Sequence, residues 1–449
     1  VLVWEFPLQL SEEYYCFSAF IYTYDFIIFC YSFSYKLMKE NSRIPSPVPL
    51  IAPDKEVDWW FAFKFNASEE PGNPEDMGEK GLFDAPGIEK SHYDTSGKKF
   101  SRHYLFSSSA NPSLQLGKGG NVIGGGLDDP LGATFGQVYL NKKPPYFVVW
   151  NDQFKGDPIK NRDSPWGHSK GMLAWNDDGE GIVLQVSTPS WPGAGNQKFP
   201  RKTDGNTLGF VHDDDIEVSQ HFFALKLTKD DVLDVVSSLH NASVCTAQIP
   251  QLINNGGPAP IRKLVGLLGN RDRGRECLNL KLSSGVRLIS KPSSLWVPPW
   301  QLVSAELGGI DLRVACWWTH PKIYSSKKGD TMPGCWFDPS DQYKGKPGVV
   351  EIATTGTWPP DCGKTGNLGM KGGPGAKYNH AKIGVSTTPG TSYSIFGDMN
   401  QQGAFSPGHT GSKCSSSQNG RGGLFFAMDD PKLFASVSGL LKGESAPVD

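Results

Sequence analysis

The chain has 449 residues, a formal net charge of −2 at pH 7, 38% hydrophobic residues and 20% charged residues. That balance excludes a disordered chain, and the near-neutral charge excludes a protein that grips nucleic acid over its whole surface at neutral pH, so any polyanion must be met locally. With 52 glycines, 34 prolines and 12% aromatic residues, short strands and turns are favoured over long helices.

In chain order, residues 1–43 read as an atypical hydrophobic and aromatic segment. Tyr14 to Tyr35 is charged only at Asp25, but Tyr and Phe stand where a membrane span carries Leu, Ile and Val. It lacks the basic leader and small-residue cleavage site of a signal peptide. A targeting or anchor segment, a mistaken start of the reading frame and a structured extension are the readings, in that order. Residues 44–55, opening on Ile44-Pro45-Ser46-Pro47-Val48-Pro49, read as a linker. A first half over 56–253 follows, with strands expected at residues 56–65, Tyr146–Trp150, Gly171–Trp175, Ile182–Val186 and Phe222–Leu227, and a glycine-rich turn region from Gly117 to Gly136. Asn254-Asn255-Gly256-Gly257-Pro258-Ala259-Pro260 is the connection into a second half, 254–449. Its expected strands are Val286–Ile289, Ile310–Trp318, Val349–Ile352, Ala381–Val385 and Ser392–Phe396, with a helix over Pro431–Leu441.

The eight cysteines show no paired CxxC spacing, so a zinc ribbon or finger is not expected. Six of them, Cys245, Cys277, Cys316, Cys335, Cys362 and Cys414, lie beyond the midpoint of the chain and suit disulfides in an oxidising compartment. Two acceptor sequons, at Asn66 and Asn241, fit a secretory route. Basic clusters stand at Lys198-Arg201-Lys202, Arg262-Lys263, Arg271-Arg273-Arg275 and Lys322-Lys327-Lys328, and charging all nine histidines would move the net charge from −2 to +7. An acidic compartment would therefore draw phosphates to the same surface.

One small constellation occurs once in each half: Gly167-His168-Ser169-Lys170-Gly171 and Asn379-His380-Ala381-Lys382-Ile383. On a strand, residues two apart share a face, so each segment would present an imidazole beside an ammonium. The context repeats too. After Lys170 the chain turns at Asn176-Asp177-Asp178-Gly179 and returns as Gly181–Val186; after Lys382 it turns at Pro389-Gly390 and returns as Tyr393–Phe396 into Gly397-Asp398-Met399-Asn400. Two hairpins of one design suggest an internal duplication with a shared site at the seam. A third triplet, His320-Pro321-Lys322, carries a proline that opposes paired strand geometry, and reads as a turn. A neutral imidazole can attack phosphorus while a protonated one gives its proton to the departing oxygen, and two ammonium groups stabilise the phosphoryl oxygens.

These segments, with Trp150-Asn151-Asp152-Gln153, Gln418-Asn419-Gly420-Arg421-Gly422-Gly423 and the opening Val57-Asp58-Trp59-Trp60, closely resemble the deoxyribonuclease II family of the phospholipase D superfamily. The resemblance covers about residues 56 to 440 and implies an α/β fold, a pseudo-dimer of two mixed β-sheet halves flanked by helices, with the active site at their interface. It implies a metal-independent endodeoxyribonuclease working at acidic pH and leaving 3′-phosphate ends, with no cofactor, DNA as substrate, no stable membrane association of the folded part, and a secreted or lysosome-like acidic setting. His168 and Lys170 match one catalytic pair and His380 and Lys382 the other. By analogy with the superfamily, His168 is the nucleophile, forming a phosphohistidine, and His380 the general acid and then base. Asn400, Asp398, Asp152 and Gln153 are the candidate substrate contacts. The superfamily's aspartate downstream of each lysine is replaced by Trp175 and Thr387, as in the deoxyribonuclease II branch, and the first hairpin ends in Ser187-Thr188-Pro189-Ser190 without the asparagine that Asn400 supplies in the second. A phospholipase D-type lipid phosphodiesterase and a catalytically inactive nucleic-acid-binding homologue are the alternatives; oligomeric state is left open.

Overall fold

The structure is a computed structural model and describes residues 43–68, 103–117, 123–124, 126–141, 143–154, 159, 163–189, 218–317, 325–326, 343–362, 364–373, 375, 377–401 and 418–447. Contacts divide the chain into Val1–Pro45 and Ser46–Asp449. The architecture below belongs to the second of these units.

Aromatic and β-branched runs bounded by glycine and asparagine turns form the strands. β1 (Trp59–Lys64), β2 (Tyr104–Ser108), β3 (Asn111–Leu116), β4 (Tyr146–Asn151), β5 (Lys170–Trp175), β6 (Gly181–Val186), β7 (Gln220–Leu227) and β8 (Ile253–Asn254) make an 8-stranded sheet in the order β3-β2-β1-β7-β6-β5-β4-β8. β9 (Leu278–Lys281), β10 (Arg287–Lys291), β11 (Leu312–Ala315) and β12 (Val350–Ile352) precede a small ribbon of β13 (Thr355–Thr357) and β14 (Asn367–Gly369). With β15 (Ile383–Ser386), β16 (Tyr393–Gly397) and β17 (Gly423–Asp429), β9 to β12 complete a 7-stranded sheet in the order β12-β11-β15-β16-β17-β10-β9.

One strand order recurs. In the first sheet β1-β7-β6-β5-β4 and in the second β10-β17-β16-β15-β11 run as first, fifth, fourth, third and second strand, antiparallel at every step. The expectation of mixed sheets holds for the second sheet, where β11 and β12 pair in parallel. In the first sheet every described pairing is antiparallel, because hairpins rather than crossovers join the neighbours β4, β5 and β6.

Among the described residues five helices accompany the sheets: α1 (Pro130–Tyr139), α2 (Lys229–Asn241), α3 (Ala259–Val265), α4 (Pro299–Glu306) and α5 (Pro431–Leu440). α2 follows β7 and α5 follows β17, and each packs against both sheets, including the one it did not come from. Ser290 Oγ on β10 donates to Ser238 O of α2 at 2.9 Å, and Leu114 N on β3 donates to Ser436 Oγ of α5 at 3.3 Å. Between the sheets, Phe396 of β16 stacks on Phe61 of β1 and Phe223 of β7 with ring centroids 4.5 and 4.6 Å apart. One hydrophobic core therefore draws residues from both.

Some expectations need correction. The glycine-rich stretch to Gly136 is not all turn, because Asp129 caps α1 by accepting from Gly132 N and Pro130 presets its first turn. The sequon asparagines are not surface acceptors: Asn66 is fully buried, and Asn241 is buried at the end of α2 with its Nδ2 donating to Glu276 O at 3.0 Å. No disulfide joins two of the described cysteines, Cys245, Cys277, Cys316 and Cys362. Cys335, Cys414, the His320-Pro321-Lys322 triplet, the clusters at 198–202 and 322–328, and residues 1–42 lie outside the described residues. Among the described residues no helix is long and apolar enough to cross a membrane.

Candidate active site

The His–Lys pairs sit at strand mouths rather than inside strands. Lys170 is the first residue of β5, with His168 two residues upstream, and Lys382 immediately precedes β15. His168 and His380 retain 8% and 7% exposure, so an edge of each residue faces solvent while the rest is buried.

The first pair is held by charge. Lys170 Nζ donates to Asp152 Oδ1 at 2.5 Å, and Asp152 Oδ2 accepts from the Arg421 guanidinium at 2.7 Å. Burial pushes the Asp152 carboxyl up, but the ammonium of Lys170 and the guanidinium of Arg421 overcome it and hold the group well below the usual carboxylate range. Arg421, from the chain leading into β17, also donates to Gly167 O at 3.0 Å and to Trp166 O at 2.9 Å, fixing the segment just before His168.

His168 Nδ1 lies 2.5 Å from the backbone carbonyl of Asp398. A carbonyl only accepts, so Nδ1 carries the proton and the neutral ring keeps its lone pair at Nε2. The ring is driven well below its ordinary pKa, first by burial and then by Lys170, with Arg421 and Lys382 of the second pair adding to the effect and Asp152 opposing it. Burial and the neighbouring cations thus favour its neutral form.

The second pair is built differently. His380 Nε2 donates to Gly373 O at 3.0 Å, and the ring meets Trp317 edge-on with centroids 4.8 Å apart. Lys382 Nζ donates to His380 O at 2.5 Å, and its backbone N donates at 3.2 Å to Nδ1 of His221, a fully buried ring on β7 lowered to about 3 by burial and then by Lys382.

Contacts cross between the sheets at both pairs in the same way. His168 N donates to Gly422 O at 2.8 Å, and His380 N donates to Ser219 O at 2.8 Å. These positions correspond by register: β7 pairs Phe222 with Val186, β17 pairs Phe425 with Gly397, and Ser219 and Gly422 each stand three residues before those phenylalanines.

The remaining expected residues fare unequally. Asp152 is a buried counter-ion to Lys170 rather than an open substrate contact. Asp398 is buried too, its carboxylate bound to Ser169 Oγ and to Leu424 N, and burial raises it to about 7 against the Ser169 hydrogen bond. Asn400 is buried with its Oδ1 lacking a partner among the described residues. Gln153 is exposed, and its backbone N donates to Asn151 Oδ1 at 2.8 Å. Arg421 and Ser169 stand within quoted motifs without a role assigned from sequence, and His221 and Trp317 carry no motif there; His221 is a single histidine on a strand that also holds Gln220 and Lys226. Among the described residues no group of three or more His, Cys, Asp or Glu is placed to hold a metal ion.

Each of the two antiparallel-rich sheets of this α/β protein carries a histidine–lysine pair at the mouth of a hairpin. Residues 50–258 match the family model for deoxyribonuclease II, so that part of the chain is similar to this family. The match takes in Asp152, His168 and Lys170 and ends before His380 and Lys382. Among curated proteins no match to the chain is found.

Proposed function

We propose that this chain is a metal-independent acid endodeoxyribonuclease whose two sheets act as a pseudo-dimer, with a single site at the seam between them. The observation that carries this reading is the crossed pair of equivalent contacts, His168 N to Gly422 O and His380 N to Ser219 O, which ties each histidine to the opposite sheet. Two equivalent elements related in this way bring like groups to one axis, where one phosphodiester can lie between them.

His168 Nε2, left with its lone pair by the Nδ1 tether, attacks phosphorus and forms the P–N bond as the P–O5′ bond breaks. Protonated His380 gives its proton to the departing 5′-oxygen. Now neutral, His380 takes a proton from water, whose oxygen attacks phosphorus and displaces His168, leaving a 3′-phosphate end. Lys170 and Lys382 stabilise the equatorial oxygens. An acid optimum is expected because the general acid must carry its proton, while burial and Lys170 favour the neutral form of His168. Such an activity suits a secreted or lysosome-like compartment. Asn400, whose buried Oδ1 lacks a partner among the described residues, and the exposed Gln153 remain the candidates for substrate contacts.

Supercoiled plasmid incubated with the chain at pH 5 in excess chelator tests the reading. Nicking and linearisation with 3′-phosphate ends are expected, and His168→Ala or His380→Ala should each cost at least about 10²-fold in rate. Strict dependence on Mg²⁺, unchanged rates in both variants, or turnover of phosphatidylcholine in place of DNA would overturn it.

A further inference from the structure

Two buried lysines outside the pairs just described occupy one position twice. Lys64 ends β1 and Lys291 ends β10, at 3% and 0% exposure. β1 pairs Lys64 with Gln220 of β7, and β10 pairs Lys291 with Gly423 of β17. Both ammonium groups make the same two contacts. Lys64 Nζ donates to the next residue's carbonyl, Phe65 O, at 3.2 Å and to Val218 O at 2.6 Å; Lys291 Nζ donates to Pro292 O at 3.3 Å and to Arg421 O at 2.8 Å. Val218 and Arg421 share nothing as side chains, so what recurs is the backbone carbonyl. Lys291 additionally binds Leu295 O at 2.5 Å and Asn419 O at 2.7 Å.

The residue after each held carbonyl is the one that crosses to the other sheet. Val218 precedes Ser219, whose carbonyl accepts from His380 N, and Arg421 precedes Gly422, whose carbonyl accepts from His168 N. A buried ammonium is costly unless its donors are matched, and once matched by carbonyls it fixes their positions, since moving one away strands a charge in a low-dielectric interior. We propose that Lys64 and Lys291 are a matched pair of positioning residues, each setting the histidine of the opposite half through the carbonyl beside the one it holds. Lys64 of the first half sets His380, and Lys291 of the second half sets His168. For Lys291 the reach is greater, because the Arg421 whose carbonyl it holds also grips Asp152 and Gly167 O by its side chain. The assignment of histidine roles rests on the nuclease reading; the crossed linkage rests on hydrogen bonds alone.

The test uses the full chain with ¹⁵N-labelled histidine and the single variants Lys64→Met and Lys291→Met. Without substrate, Lys291→Met should move the ring and backbone resonances of His168 and leave those of His380 in place, while Lys64→Met should do the reverse. A general loosening of the fold would move both rings alike. With plasmid DNA, each variant should lose about 10- to 100-fold in kcat with KM changed by less than about threefold, as expected for misplacement of a reacting group. If circular dichroism shows a Met variant unfolded, the corresponding Lys→Arg variant, which keeps the charge and displaces the carbonyls, is read in the same way. Shifts at the histidine of the lysine's own half, at both, or at neither in a folded variant overturn the proposal. So does failure of both substitutions at one position to fold, which makes that lysine a determinant of folding rather than of position. A chain that cuts no DNA but shows the crossed shifts overturns the nuclease reading and leaves the linkage standing.

Discussion

At the scale of single residues, the site runs on buried carboxyls kept in opposite protonation states. Asp152, between Lys170 and Arg421, is held in its ionised form, and Asp398, buried against Ser169, is raised to about 7 by that burial. Asp152→Asn leaves two buried cations without their anion, which costs about 3–5 kcal/mol in a denaturant titration; a loss under about 1 kcal/mol would show that solvent already reaches the pair. For Asp398, the folded chain keeps a proton that the unfolded chain, with its carboxyl at 3.8, has given up. This contribution is complete below pH 3.8 and is lost as pH rises through 7, on the order of 4 kcal/mol in all. His221 works the other way, its contribution complete above pH 6.5 and lost as pH falls towards about 3. Asparagine resembles the protonated acid in shape, so Asp398→Asn should gain stability relative to the unaltered chain as pH rises from 4 to 7, read from melting midpoints across that range. A difference that does not change with pH would mean the carboxyl ionises normally in the folded state.

At the scale of elements, the strands announced themselves where aromatic runs met turn residues: β1, β4, β5, β6 and β7 fall within a few residues of expectation. The turns did as well. Asn176 Oδ1 accepts from Asp178 N and Glu180 N, and Gly179 takes a φ of 91° that favours glycine. What escaped was set by distant partners. β17 follows a glycine-rich approach and is apolar along most of its length, which marks a strand buried on both faces only once neighbours are known. α2 shows apolar residues at helical spacing, Val232, Val235, Val236 and Leu239, with Thr228 and Asp231 as a capping box, so it is legible in the sequence although it does not stand among the expected elements. The loops before β7 and β17 yield a paired prediction. A Cβ on Gly422 would stand 2.0 Å from Ala242 O. Gly422→Ala should therefore cost about 1–3 kcal/mol by overpacking and displace the carbonyl held by His168, lowering cleavage. Its register counterpart Ser219 has a buried hydroxyl with no partner among the described residues, so Ser219→Ala should be neutral or slightly stabilising. Equal effects at the two positions would contradict the account of both.

At the scale of the whole molecule, the histidines and lysines could be read in the chain because one spacing occurred twice in one hairpin context. Their environment could not, since the contacts that matter span 230 residues from His168 to Asp398 and 269 from Asp152 to Arg421. Only the packing of sheet on sheet creates them. That packing centres on Phe396, stacked on Phe61 and Phe223, while Phe223 also lies 5.5 Å from Phe426. Because one core spans both sheets, the unit from Ser46 onward should unfold as a whole rather than half by half. Phe396→Ala removes the ring that both β1 and β7 rest on, and large-to-small changes of this kind cost about 3–5 kcal/mol. In urea, tryptophan fluorescence and far-ultraviolet circular dichroism should give one coincident midpoint for the unaltered chain, and the variant should lower both together. Cleavage measured well below the new midpoint should fall further than the small unfolded fraction explains, because loosening this contact lets the two histidine–lysine pairs drift apart. Two separate transitions, with only one moved by the substitution, would show that the halves hold themselves together independently and that the seam is too weak to align them.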